Sequence, residues 1–128
     1  MYDSLSSLLE RYRGAGAKLV ILFGSRARGD YTEYSDYDVL VVGDSIPRDP
    51  REAYAMLVDP SNPNVQPVGL NTEVFLRKLR EGNTFILEAL EDGKILYADE
   101  AFLNDVMQEF RRIRSRYQRI GRTWVKVG

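Results

Sequence analysis

A small α/β domain, a short mixed β-sheet flanked by helices, is the fold class this sequence predicts. Three observations predict it. Short apolar runs closed by glycine read as buried strands: Lys18-Leu-Val-Ile-Leu-Phe23 before Gly24, and Tyr37 to Val42 before Gly43. Other stretches carry apolar residues at helical spacing. The two kinds alternate over 128 residues, of which 44% are apolar and 29% charged. That is enough to build a core, and the length suits one domain, since domains run to about 100–200 residues. One domain over 1–128 is therefore expected.

The elements follow in order. Leu5, Leu8, Leu9 and Tyr12 fall at i, i+3, i+4 and i+7, with Asp3 or Ser4 available as a cap and Gly14-Ala-Gly16 as a stop, so the chain opens with an amphipathic helix. The two buried strands come next. Asp49-Pro50-Arg51-Glu52 supplies an N-cap, a proline at the first helical position and a capping-box glutamate, predicting a helix to about Val58. Val65 to Leu70 reads as a weak strand; Pro67 and Gly69 place it at an edge or a bulge. Thr72 to Glu81 and Asn83 to Asp92 read as short helices, each followed by a glycine suited to a C-cap. Lys94-Ile-Leu-Tyr97 is a short strand. A long basic C-terminal helix over about 99–121 closes the chain, capped by Asp99, with Leu103, Val106, Met107, Phe110, Ile113, Tyr117 and Ile120 as its apolar stripe.

Composition restricts the chemistry. The chain has no cysteine and no histidine, which removes disulfides, thiolate nucleophiles, imidazole bases and the usual zinc ligands. Catalysis would have to run on carboxylates, hydroxyls, lysine, arginine, backbone amides and a hard, oxygen-loving cation. No apolar run approaches the roughly 20 residues of a membrane span, and the N-terminus lacks a basic leader with an apolar stretch. A cytoplasmic protein with no membrane association is expected. The net charge of −1 hides a split: residues 1–109 sum to −8, and residues 110–128 carry seven basic side chains and no acidic one.

The informative stretch is Phe23-Gly24-Ser25-Arg26-Ala27-Arg28-Gly29-Asp30 with Ser35-Asp36-Tyr37-Asp38 after it. A strand ending in glycine and a hydroxyl at a helix-like turn presents backbone N–H groups to one spot, a natural phosphate site. Gly24 would admit the phosphate and Ser25 would add a donor. Asp36 and Asp38 stand two apart at a strand entrance and project to the same side, because strand side chains alternate. Two such charges call for compensation, and Mg²⁺, held by carboxylates and substrate phosphates, supplies it.

At these residues the sequence resembles the nucleotidyltransferases of the DNA polymerase β superfamily, most closely the small minimal nucleotidyltransferases. Their signature is Gly-Ser, ten residues, Asp-x-Asp, here Gly24-Ser25 to Asp36-Tyr37-Asp38. The likeness extends to Arg26-Ala27-Arg28-Gly29 and Ser35, and more loosely through 72–98; its specific part is 23–42. The resemblance implies a polymerase β-type fold and transfer of a nucleoside monophosphate from an NTP, expected to be ATP, to an acceptor hydroxyl. Asp36 and Asp38 would hold Mg²⁺ (or Mn²⁺), Gly24 and Ser25 would hold the triphosphate, and Arg26 and Arg28 would neutralise phosphate charge.

The family pattern carries a third aspartate on the following strand, and Gln66 falls at or near that position. An amide is no base and a poor Mg²⁺ ligand. Three alternatives stand open: another acid such as Glu73 or Asp59 fills the gap, a partner activates the acceptor, or the chain binds nucleotide without turnover. The small size leaves the acceptor to a second chain. Many minimal nucleotidyltransferases are paired, as antitoxins, with a small helical HEPN partner, and the resemblance implies the same here. A homo-oligomer is compatible with the sequence. The arginine-rich tail is a candidate surface for the partner or, more weakly, for RNA.

Overall fold

A computed structural model describes residues 2–128, and the side chains from Leu5 onward. The elements are α1 (Tyr2–Gly14), β1 (Ala17–Phe23), α2 (Ser25–Arg28), β2 (Tyr37–Gly43), α3 (Pro50–Leu57), β3 (Val65–Asn71), α4 (Thr72–Arg80), α5 (Thr84–Asp92), β4 (Lys94–Ala98), α6 (Glu100–Arg114), β5 (Tyr117–Ile120) and β6 (Thr123–Lys126). The cap expected at Asp3 or Ser4 lies on side chains outside the described set.

Four strands form a mixed sheet in the order β3-β2-β1-β4. β1 pairs antiparallel with β2 and β4, while β2 pairs parallel with β3. Strand alternation splits the apolar residues between two faces. On one face Leu19, Ile21, Leu40 and Val42 pack with Phe75, Leu79, Ile86, Leu87, Val106 and Phe110 of α4, α5 and α6. On the other, Val20, Val39, Val41 and Val65 pack with Leu8 and Tyr12 of α1 and Ala53 and Leu57 of α3. Burial on both faces explains why β1 and β2 read as continuous apolar runs. The sheet is sandwiched, so only its strand ends and loops remain for chemistry.

Helix starts follow the capping rules. Asp49 accepts from the Arg51 N–H at 2.8 Å, Asn71 from Glu73, Asn83 from Ile86, and Asp99 from Phe102 at 2.9 Å. Each satisfies an N–H that the first helical turn leaves open. Val65–Asn71 is indeed an edge strand, and its Pro67 has no N–H to offer a further neighbour. Among the described residues, no helix is long and apolar enough to cross a membrane.

The C-terminus departs from expectation. The helix expected over 99–121 ends at Arg114, and residues 117–126 form an antiparallel hairpin with Ile120 paired to Thr123. Only Gly121 and Arg122 lie between these strands, and Gly121 takes φ +64°, a positive value that a two-residue hairpin turn requires and glycine supplies without strain. The hairpin gains specific partners that a continued helix would lose. Arg119 forms a two-point ion pair with Asp92 at 2.7 and 2.6 Å, and the Arg114 and Arg119 guanidiniums lie 4.7 and 5.2 Å from the Trp124 ring. Arg114 also pairs with Glu91, and Arg122 with Glu88. Much of the tail's positive charge therefore meets the acidic face of α5 within the molecule.

Candidate active site

The register of the sheet builds the site. Phe23, the last residue of β1, pairs with Asp38, the second residue of β2, and Asp38 pairs in turn with Gln66 of β3. Asp38 shares its face with Leu40 and Val42, so its carboxylate stands on the α5 side of the sheet. The chain leaves β1 through Gly24 at φ +72° and enters the single turn α2. A Cβ on Gly24 would lie 2.5 Å from Asp38 Oδ2, well inside contact distance. The side chain that requires glycine here is thus the aspartate itself: its carboxylate rests against the bare Cα.

α2 is closed by the Ala27 and Arg28 N–H groups donating to the Gly24 carbonyl at 3.1 Å, and by Gly29 N–H donating to Ser25 O at 2.9 Å. Four residues carry little macrodipole. What the turn presents is the Ser25 hydroxyl and the local amides at its start.

A cleft of about 380 Å³ opens over these groups, lined by Phe23, Gly24, Ser25, Arg28 and Asp38 from the motif, by Phe85, Glu88, Ala89 and Asp92 from α5, and by Arg122 from the hairpin. The α5 residues recur at i, i+3, i+4 and i+7, one helical face. Phe85 meets Phe23 edge to face at 5.1 Å, which fixes α5 against the end of β1. Burial raises the Asp38 pKa from its ordinary value, the neighbouring Asp36 charge adds to this, and Arg28 opposes it.

Asp38, Gly24, Ser25 and Arg28 line this opening; Asp36, exposed on the loop entering β2, does not line it, and reaches the site through its charge acting on Asp38. Arg26 does not line the cleft. Its guanidinium lies 4.3 Å from the Tyr31 ring and 4.4 Å from the Tyr37 ring, and it donates twice to the Ser35 carbonyl at 3.2 and 3.1 Å. It pins the peptide immediately before Asp36. The two acids weighed for the third position are engaged elsewhere: Glu73 pairs with Arg48, and Asp59 with Arg11, Ser61 and Asn62. Among the described residues, no group of three or more acidic side chains is arranged to hold a metal. Gln66 occupies the register position beside Asp38 and donates to the Pro63 carbonyl at 3.2 Å.

Phe85, Glu88, Asp92 and Arg122 were not legible as site residues. On α5 the acids resemble a solvated helix face, and the signal lay in their spacing with Phe85 and Ala89. Arg122 becomes visible only once Gly121-Arg122 is read as a turn.

A mixed sheet with a glycine-serine turn beside an Asp-x-Asp strand entrance defines a nucleotidyltransferase domain. The family model for that domain matches residues 4–113, and the chain belongs to this family of nucleotidyltransferases. It is 37% identical over 95 residues to a Methanocaldococcus jannaschii protein assigned as a protein adenylyltransferase, covering 74% of this chain and 92% of the relative. A second from the same organism, similarly assigned, is 30% identical over 106 residues, covering 79% and 72%. Among solved structures, one assigned as a nucleotidyltransferase of Sulfolobus solfataricus superposes with a TM-score of 0.54 at 23% identity over 78% of this chain and 82% of that one. A chain of a toxin–antitoxin complex with AMP-PNP gives 0.53 at 18% identity, covering 86% and 89%. At such identities these two establish the shared fold.

Proposed function

We propose that this nucleotidyltransferase transfers AMP from ATP to a hydroxyl on a partner protein. The observation that carries the reading is the meeting of Gly24, Ser25, Arg28 and Asp38 in one cleft, with the charge of Asp36 acting on Asp38. The relatives' assignment as protein adenylyltransferases supports AMP as the moiety and a protein as acceptor. The toxin–antitoxin neighbours support a small protein partner, of which a helical HEPN-type toxin is the instance proposed, with this chain as its cytoplasmic antitoxin.

The residues fit a divalent cation: two carboxylates stand two residues apart at a strand entrance, and Asp38 has its pKa raised by burial and by the Asp36 charge. Asp36 and Asp38 would hold Mg²⁺, which when bound supplies positive charge to the triphosphate. The Ser25 hydroxyl and the amides at the start of the α2 turn bind phosphate oxygens, and Arg28 lines the same cleft. The acceptor oxygen bonds to the α-phosphorus, the bond to the β-phosphate's bridging oxygen breaks, and pyrophosphate leaves with its electron pair. The acceptor's proton passes to water or to a base on the partner, because Gln66 stands where the domain itself would need a third carboxylate.

That same amide favours one second reading, a nucleotide- or partner-binding domain without turnover. Incubation with labelled ATP, Mg²⁺ and a helical HEPN-type protein as the partner separates the two. Label should reach the partner and be lost in Asp36→Asn and Asp38→Asn; labelling that persists in both removes the carboxylates from the mechanism, and tight partner binding with no transfer selects the second reading.

A further inference from the structure

The C-terminal hairpin lies beyond residues 4–113, the span shared with the family, yet one of its side chains lines the cleft. We propose that Arg122 binds the phosphate chain of the incoming nucleoside triphosphate, leaving Glu88 to do so. This rests on the nucleotidyl-transfer reading above.

The two hairpin arginines differ in what they are built to do. The Arg119 side chain is 17% exposed, holds Asp92 at two points, and donates through Nε to the Gly121 carbonyl at 2.7 Å. It is a fixed strut, and it clamps the turn that carries the next residue. The Arg122 side chain is 65% exposed and reaches Glu88 by one long contact of 3.3 Å. A single exposed ion pair contributes little to stability, so releasing it costs little. A triphosphate offers the same guanidinium several charged oxygens in forked geometry.

The charge inventory of the cleft requires such a group. Asp38, Glu88 and Asp92 face it, against Arg28 and Arg122. Arg119 neutralises Asp92, and Arg28 contacts Asp30 at 3.4 Å as well as opposing the charge on Asp38. Arg122 is the cleft-lining cation whose present partner is a carboxylate of the same cleft, held by that one contact. Moving its guanidinium from Glu88 to the ligand leaves the Arg119 strut, and the turn it clamps, in place.

Calorimetric titration of the full chain with ATP and Mg²⁺, and separately with adenosine, tests this. Arg122→Ala should weaken ATP binding about 10-fold, the scale of one charge-assisted contact, and leave adenosine binding and the melting temperature unchanged. Arg122→Lys should recover most of the loss, and Glu88→Gln, which frees the guanidinium, should tighten ATP binding. Unchanged ATP binding in Arg122→Ala, or an equal loss for adenosine, overturns the proposal. If the wild-type chain transfers AMP and Arg122→Ala matches it at limiting ATP, this proposal alone fails; a wild-type chain that binds no ATP overturns both readings.

Discussion

Asp38 and Gln66 stand beside each other on adjacent parallel strands, paired in register and on the same face of the sheet. On the mechanism proposed above, the relationship places an amide where a carboxylate would share the cation and take the acceptor's proton. Gln66→Asp should therefore raise the rate of AMP transfer by about 10-fold or more, the low end of what a positioned general base contributes. Initial-rate labelling at saturating ATP is the measurement. A rate that does not rise puts the base on the acceptor's side.

Gly24→Ala should destabilise the fold by about 2–3 kcal/mol, because φ +72° with ψ −157° is a region that only glycine enters readily, and the new methyl would collide with Asp38. Urea unfolding measures the total. In an Asp38→Ala background the collision is relieved and the backbone strain remains, so the cost of the second substitution should fall; equal costs in both backgrounds would show that Asp38 does not press on Gly24.

Arg26→Ala should lower the turnover rate about 10-fold while leaving the KM for ATP within about 2-fold, since its work is to hold the Ser35 carbonyl next to Asp36 and a small misplacement of a reacting group is costly. A rise in KM with an unchanged rate would instead make Arg26 a phosphate contact.

The Asp92–Arg119 pair carries a pH signature. The hydrogen bond from Arg119 holds the Asp92 carboxyl below its usual value of 3.8. The folded pKa is depressed, so the stabilisation is present in full above the unfolded value and disappears as pH falls below it through the folded one. Arg119→Ala should cost about 1 kcal/mol at neutral pH and clearly less in acid once Asp92 is protonated, where the Gly121 hydrogen bond and the Trp124 contact are what remain. Equal costs at both pH values would assign the loss to packing against Trp124.

Most of the architecture is legible in the sequence because local and tertiary preferences agree there. Asp49-Pro50 marks a helix start, and the side chain of Asp49 caps it as expected. Pro67 and Gly69 mark an edge strand, and the sheet order confirms it. The tail misleads because Ile113, Tyr117 and Ile120 continue helical spacing past the true helix end, while the two-residue alternation of 117–126 spans only short strands. What decides the matter is non-local: Asp92 and Glu88 are 27 and 34 residues from the arginines they bind. The cleft divides the same way. Its floor comes from one contiguous motif and is readable, whereas its wall comes from α5 and the hairpin, which only folding brings together.

Pro67 has one more effect, on behaviour in concentrated solution. An edge strand normally offers a row of N–H and C=O groups on which another chain can extend the sheet. On β3 that row is broken at its third residue by the missing N–H of Pro67, so an incoming strand would lose a hydrogen bond in the middle of its pairing. The proline that weakens β3 as a strand thereby protects the molecule from intermolecular sheet growth along that edge.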